Sequence, residues 1–135
     1  MTVGYSGKPL STKLGVRPGM SLVVLDAPPD YDALMVDLPA DVRTRRRLSG
    51  RPDIVLVFTT RRTELERRLP ALITAIAPAG VVWVCWPKRS SGVPTDMTED
   101  VIRDVVLPSG LVDVKVCAVS DVWSGLKLVI RRERR

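Results

Sequence analysis

The chain has 135 residues and a formal net charge of +6, with 21 Lys and Arg against 15 Asp and Glu. At this length one domain spanning 1–135 is expected, and an apolar fraction of 45% supplies a core. There is no histidine, which excludes a Ser-His-Asp triad, a Cys-His pair and a His-ligated metal within the chain.

Residues 1–19 read as an arm plus a short helix. Pro9 can start that helix, Leu10 and Leu14 share one face, and Gly15 stops it before an Arg17-Pro18-Gly19 turn. The α/β core is assigned to 20–132 and a basic tail to 133–135. Residues 21–26 (SLVVLD) form a short apolar run and predict a buried strand, broken by Ala27-Pro28-Pro29-Asp30. A short helix is expected over 30–38, with Tyr31, Leu34 and Leu38 on one face. Residues 42–48 (VRTRRRL) suit a charged edge strand.

Residues 54–58 predict the next buried strand. A helix follows over 61–77, with Thr60 as N-cap and Leu65, Leu69, Leu72, Ile73 and Ile76 as its apolar stripe. Pro70 inside it predicts a kink or break. Residues 81–86 predict the third buried strand, and this longest apolar run is far shorter than a bilayer span. Thr98 reads as the N-cap of another helix, with Glu99 and Asp100 in its first turn and Val101, Ile102, Val105 and Val106 facing the core. Residues 111–119 and 126–132 then make two strands joined by SDVWSG, a hairpin. Strands alternating with amphipathic helices predict a three-layer, mostly parallel α/β sheet, Rossmann-like, with an antiparallel C-terminal hairpin.

This order is similar to the Rossmann-like fold of S-adenosylmethionine-dependent methyltransferases in reduced form. LPALITAIAPAGVVWVCW resembles their helix, Pro-Gly-type turn and strand. LGVRPGMSLVVLDAP resembles the lead-in to their first strand. The resemblance implies a last strand inserted between its neighbours, and S-adenosylmethionine as cofactor. It also implies a glycine-rich turn after the first strand and an acidic residue after the second. Here that turn is Ala27-Pro28-Pro29-Asp30-Tyr31, without glycine, and no acidic counterpart follows the second strand. More specifically, GKPLSTKLGVRPGM, WPKRSSGVPTDMTEDVIRD and GLVDVKVCAVSDVWSGLKLV resemble a bacterial family known only as domain of unknown function 3052.

Open α/β sheets bind ligands beyond the carboxyl ends of their parallel strands. The segment 86–96 leaves the third buried strand at that edge, and the hairpin turn lies there too. Trp86, Lys88, Ser91, Thr95, Asp96, Asp121, Trp123 and Ser124 are therefore the candidate ligand-binding residues. They offer an aromatic wall, a cation, hydroxyls and carboxylates, with the Ser-Ser-Gly backbone as an anion nest. A plainer account stands beside this one. The two tryptophans cap the core, Thr95-Asp96 caps the following helix, and Lys88 pairs with Asp121 on the surface.

Cys85 and Cys117 lie in Val-rich runs and read as small apolar residues rather than metal ligands. The N-terminus lacks a charged-then-apolar leader, so a cytoplasmic location is expected. Arg43, Arg45, Arg46 and Arg47, with the Arg-rich tail, are candidate contacts for an anion or nucleic acid. Three functional readings result. The first is a non-catalytic module, on a degenerate methyltransferase-like scaffold, that binds a small anionic ligand or a protein partner. The second is an enzyme using S-adenosylmethionine or a nucleotide, through Lys or carboxylate chemistry. The third is nucleic-acid binding through the Arg segments. No metal or membrane is implied, and self-association through the edge beside residues 43–47 is compatible with all three.

Overall fold

The computed structural model describes residues 8–135, so the first seven residues of the expected arm lie outside the described residues. Six strands form one sheet in the order β2-β1-β3-β4-β6-β5. The strands are β1 (Ser21–Leu25), β2 (Arg43–Arg45), β3 (Ile54–Phe58), β4 (Val81–Pro87), β5 (Leu111–Ala118) and β6 (Trp123–Ile130). The first four are parallel, and β6 is antiparallel to both β4 and β5. The final strand is thus inserted between β4 and β5, as the methyltransferase-like order requires.

The continuous apolar runs β1 and β3 are buried at every position, and β4 at all but its first. Burial on both faces is what a central parallel strand needs. Helices α1 (Leu10–Lys13) and α2 (Tyr31–Leu34) accompany one face. Helices α3 (Arg62–Ile76) and α4 (Glu99–Val106) cover the other. Leu10, Leu14, Leu56, Phe58 and Trp83 fill the first layer. Leu65, Leu72, Ile102, Leu126 and Leu128 fill the second. The two layers meet only through the sheet. Among the described residues no helix is long and apolar enough to cross a membrane.

Several expectations are corrected. The helix expected over 30–38 is a single turn, and Leu38 lies beyond it, 36% exposed. Helix α3 runs through Pro70 without a break. Both Pro70 and Glu66, whose carbonyl loses its donor, are exposed, so water can take that bond. Arg61, not Thr60, is the N-cap residue of α3, and its own side chain makes no cap bond. Strand β6 begins at Trp123, three residues before the apolar run suggests. The Thr98 cap is present: its Oγ1 accepts from Val101 N at 3.1 Å.

The α1-side layer is tied to the sheet by two polar contacts. Trp83 is fully buried and its Nε1 donates to Leu14 O at 3.0 Å. Lys13 Nζ donates to Ala118 O at 2.8 Å. The first satisfies the carbonyl that ends α1 and the second ties the Lys13 side chain to the end of β5, which anchors a one-turn helix with no length to hold itself in place. Trp83→Phe keeps the ring but leaves Leu14 O unpaired, so it should cost about 1–3 kcal/mol in urea unfolding. It should also release α1 first in hydrogen exchange.

Candidate ligand site at the carboxyl edge of the sheet

Three chain segments meet beyond the carboxyl ends of β1, β3 and β4. The turn after β1 is held by Asp26, which takes a left-handed backbone (φ 55°) although it is not glycine. Its carboxylate accepts from Arg68 on α3 at 2.7 Å. Pro28 and Pro29 follow and present no N–H to a ligand. Tyr31, Phe58 and Trp123 then form an edge-to-face row, with centroids 6.1 and 5.1 Å apart. The row spans α2, β3 and β6 on the α1 side. It leaves a cavity of about 250 Å³ bordered by Asp26, Phe58, Thr59, Thr60, Glu64 and Trp123.

Tyr31 is buried, and its hydroxyl is the single buried side-chain polar atom without a partner among the described residues. The Arg46 guanidinium lies over its ring, 4.9 Å from the centroid. Burial pushes the Tyr31 phenol up to about 12, against a smaller lowering by Arg46. Burial also pushes the Cys85 and Cys117 thiols up, so neither favours the reactive thiolate.

The loop after β4 is fixed by internal bonds. Lys88 N donates to Val122 O at 2.7 Å, joining the loop to the hairpin turn. Thr95 Oγ1 donates to Thr60 O at 2.7 Å and accepts from Met97 N at 3.0 Å. Asp96 Oδ1 accepts from Arg62 N at 2.8 Å, so it completes the N-terminus of α3 and not that of α4. Ser91 Oγ bridges Lys88 O and Val93 N. The expected anion nest is already occupied. Ser91 N and Gly92 N donate to Lys88 O and Arg89 O, and Val93 N is taken by Ser91 Oγ.

The eight candidate residues are not one pocket. Trp86 pairs with Ser124 and Pro87 with Trp123 across β4 and β6. Successive side chains point to opposite faces, so the two tryptophans are separated by the sheet: Trp86 packs in the α3/α4 layer and Trp123 in the α1/α2 layer. Asp121 is exposed at the hairpin tip. The Lys88–Asp121 ion pair is absent among the described residues.

A cavity of about 550 Å³ opens on the α4 side of the loop. Trp86, Arg89, Thr95, Asp96 and Met97 line it, with Pro87, residues 92–94 and Thr98 completing the wall. Arg89 has no ion pair among the described residues, and Lys88, next in the chain, has none either. Of the three tryptophans only Trp83 hydrogen-bonds through its indole N–H among the described residues, which leaves the Trp86 donor unused. Sequence reasoning named Lys88 but not Arg89, although both stand in the same WPKRSS string. A groove of about 410 Å³ between Leu48 and Pro70 has no charged side chain in its wall.

The Arg cluster is dispersed. Arg45 donates to Ser21 Oγ at 2.9 Å, and Arg46 is held by Tyr31 and by Asp32 at 3.2 Å. Arg43 and Arg47 remain exposed on the short edge strand or just beyond it.

The fold is that of S-adenosylmethionine-dependent methyltransferases. A methyltransferase of this class from Aquifex aeolicus superposes with TM-score 0.68 and 12% identity, over 94% of this chain and 90% of that one. An O-methyltransferase from neocarzinostatin biosynthesis, solved with S-adenosylmethionine, superposes with TM-score 0.62 and 11% identity, over 95% of this chain and 51% of the other. The magnesium protoporphyrin IX methyltransferase of Synechocystis, solved with S-adenosylmethionine, gives TM-score 0.54 and 9% identity, over 90% and 74%. At these identities the likeness shows the fold alone. No protein-family profile and no curated protein sequence matches the chain.

Two outcomes check this geometry. Asp96→Ala removes the acceptor at the α3 N-terminus and should cost about 1 kcal/mol in chemical denaturation, with Asp96→Asn costing less. Tyr31 stays neutral when buried while the unfolded phenol ionises near pH 10, so the unfolded state releases the proton first. Stability should therefore fall from about pH 10 to about pH 12. Tyr31→Phe should flatten that part of the profile.

Proposed function

We propose that this protein is a binding module for a small anionic ligand, seated in the cavity beneath the β4 loop. The observation that carries the reading is the combination of Trp86 and Arg89 in one wall, each with a donor that the fold does not use. Every hydroxyl and carboxylate of the loop that the structure bonds is spent on holding the loop. What remains for a ligand in the cavity wall is an aromatic face, an indole N–H and the Arg89 guanidinium, with Lys88 next to it in the chain. Such a set recognises a flat or apolar body carrying a phosphate or carboxylate. Asp96 also lines the cavity, with one oxygen engaged by Arg62 N, and it orients the ligand by repelling the anionic end. Nothing in the wall supplies a nucleophile paired with a base, so binding without turnover is the reading the residues support.

A second reading is an enzyme using S-adenosylmethionine, supported by a likeness that spans nearly the whole chain and nearly the whole of a small methyltransferase. The turn after β1 weighs against it. Two prolines stand there in place of glycine, and the aromatic row walls the crevice beside the turn down to about 250 Å³. Membership in the family numbered 3052 is consistent with either reading and rests on the strings quoted above.

The test is thermal unfolding across nucleoside mono- and diphosphates, sugar phosphates, dicarboxylates and S-adenosylmethionine. A phosphate- or carboxylate-bearing compound should raise Tm. Lys88→Ala/Arg89→Ala should abolish that rise while leaving the unliganded Tm within about 2 °C, since both side chains lack ion pairs. Calorimetry should find no micromolar binding of S-adenosylmethionine. Micromolar binding that survives the double substitution would favour the enzyme reading.

A further inference from the structure

On β6, Leu126, Leu128 and Ile130 point into the α3/α4 core, so Lys127 and Val129 face the α1 side. Their β5 partners are Lys115 and Val112, and Cys117 next to them packs against the α1-side core. The hairpin therefore presents a valine pair, a lysine pair and a thiol opposite Gly125. Lys115 and Lys127 are direct cross-strand neighbours. Like charges so placed are destabilising, and neither has an ion pair among the described residues. Burial raises the Cys117 thiol, and Lys13 and Lys115 both lie close enough to oppose part of that rise.

The nearest carboxylates of the hairpin do not face the pair. Asp113 opposes Leu128 on the other face, where Arg103 holds it, and Asp121 is exposed at the hairpin tip. The β2 edge differs: its arginines share residues 26–53 with Asp26, Asp30, Asp32, Asp37, Asp41 and Asp53. The hairpin face thus holds a lysine pair with no ion pair among the described residues, whereas Arg46 of the arginine run is paired with Asp32. The hairpin face is also partly apolar. Val112 and Val129 are half-buried on this face, and Val114 (53% exposed) stands at the bulge between Asp113 and Lys115.

We infer that the α1-side face of the β5–β6 hairpin is a docking surface for an acidic protein segment, with carboxylates set between Lys115 and Lys127 and apolar side chains on Val112 and Val129. A sugar–phosphate backbone would satisfy the lysines and leave the valines uncovered. A peptide alternating acidic and apolar residues satisfies both.

The test uses the full chain and a fluorescein-labelled peptide of repeated Glu-Val-Asp-Leu, followed by anisotropy. The peptide should bind, and binding should weaken as salt is raised. Lys115→Ala/Lys127→Ala should weaken it at least about fivefold, while Arg43→Ala/Arg47→Ala, which removes the same charge, should change it less than about twofold. Lys127→Ala alone should raise the free protein's Tm by about 1–2 °C as the repulsion is relieved. The inference is overturned if the peptide fails to bind, if both double variants lose affinity equally, or if Lys127→Ala lowers Tm. It is also overturned if an oligonucleotide of equal charge, or vesicles of anionic lipid, bind more tightly than the peptide. None of these outcomes touches Arg89, so this surface and the β4-loop cavity stand or fall separately.

Discussion

Strand β4 is buried on both faces, and the alternation of its side chains decides where everything else can lie. Trp83 and Cys85 enter the α1/α2 layer; Val82, Val84 and Trp86 enter the α3/α4 layer. Trp83 anchors α1 through Leu14 O. Three residues further on, Trp86 becomes the wall of a cavity on the opposite side. A shift of one residue in the pairing of β4 would exchange these roles and bury neither indole well. Gly125 on β6 is part of the same constraint. A Cβ there would lie 3.2 Å from Trp83 Cε3 and 3.3 Å from Val119 Cγ2, so a side chain beside Trp83 would require the indole or Val119 to give by a few tenths of an ångström.

The carboxyl edge has correspondingly been divided between two tasks. On the α1 side the aromatic row and the two prolines narrow the place where this fold class approaches a ligand with its backbone, leaving a cavity of about 250 Å³. On the α4 side the loop after β4 is stapled to the β3–α3 connection by Thr95 and Asp96. The stapling uses up the loop's polar groups and holds a concave surface open. A loop fixed in advance loses little entropy on binding, which suits recognition of a small molecule.

The sequence disclosed the frame better than the site. The runs at 21–26, 54–58 and 81–86 could only be buried strands, because nothing else so short is so uniformly apolar. Thr98 could be recognised as a cap because the N–H it accepts from, that of Val101, lies three residues away. Asp96 could not, because the helix it completes begins 34 positions earlier in the chain. Trp86 and Trp123 looked like one wall because both stand at strand ends, and only the register of β4 with β6 puts the sheet between them. The start of β6 was hidden because Ser124 and Gly125 interrupt the apolar pattern, although Gly125 lies close beside Trp83. The lysine pair was equally invisible: Lys115 and Lys127 are opposed only after a bulge between Asp113 and Lys115 resets the register.

The central claim is that ligand recognition has moved from the turn after β1 to the loop after β4. The three indole N–H signals in a ¹⁵N–¹H correlation spectrum report on it separately, because Trp83 is locked to Leu14 while Trp86 and Trp123 lie on opposite sides of the sheet. Pyrophosphate, adenosine diphosphate and S-adenosylmethionine would each be titrated. The account predicts that at least one of the phosphates moves the Trp86 indole and the amides of 87–98, with Trp83 and the turn at 26–31 unchanged. Shifts produced by S-adenosylmethionine and confined to 26–31 and Trp123, with Trp86 still, would contradict it.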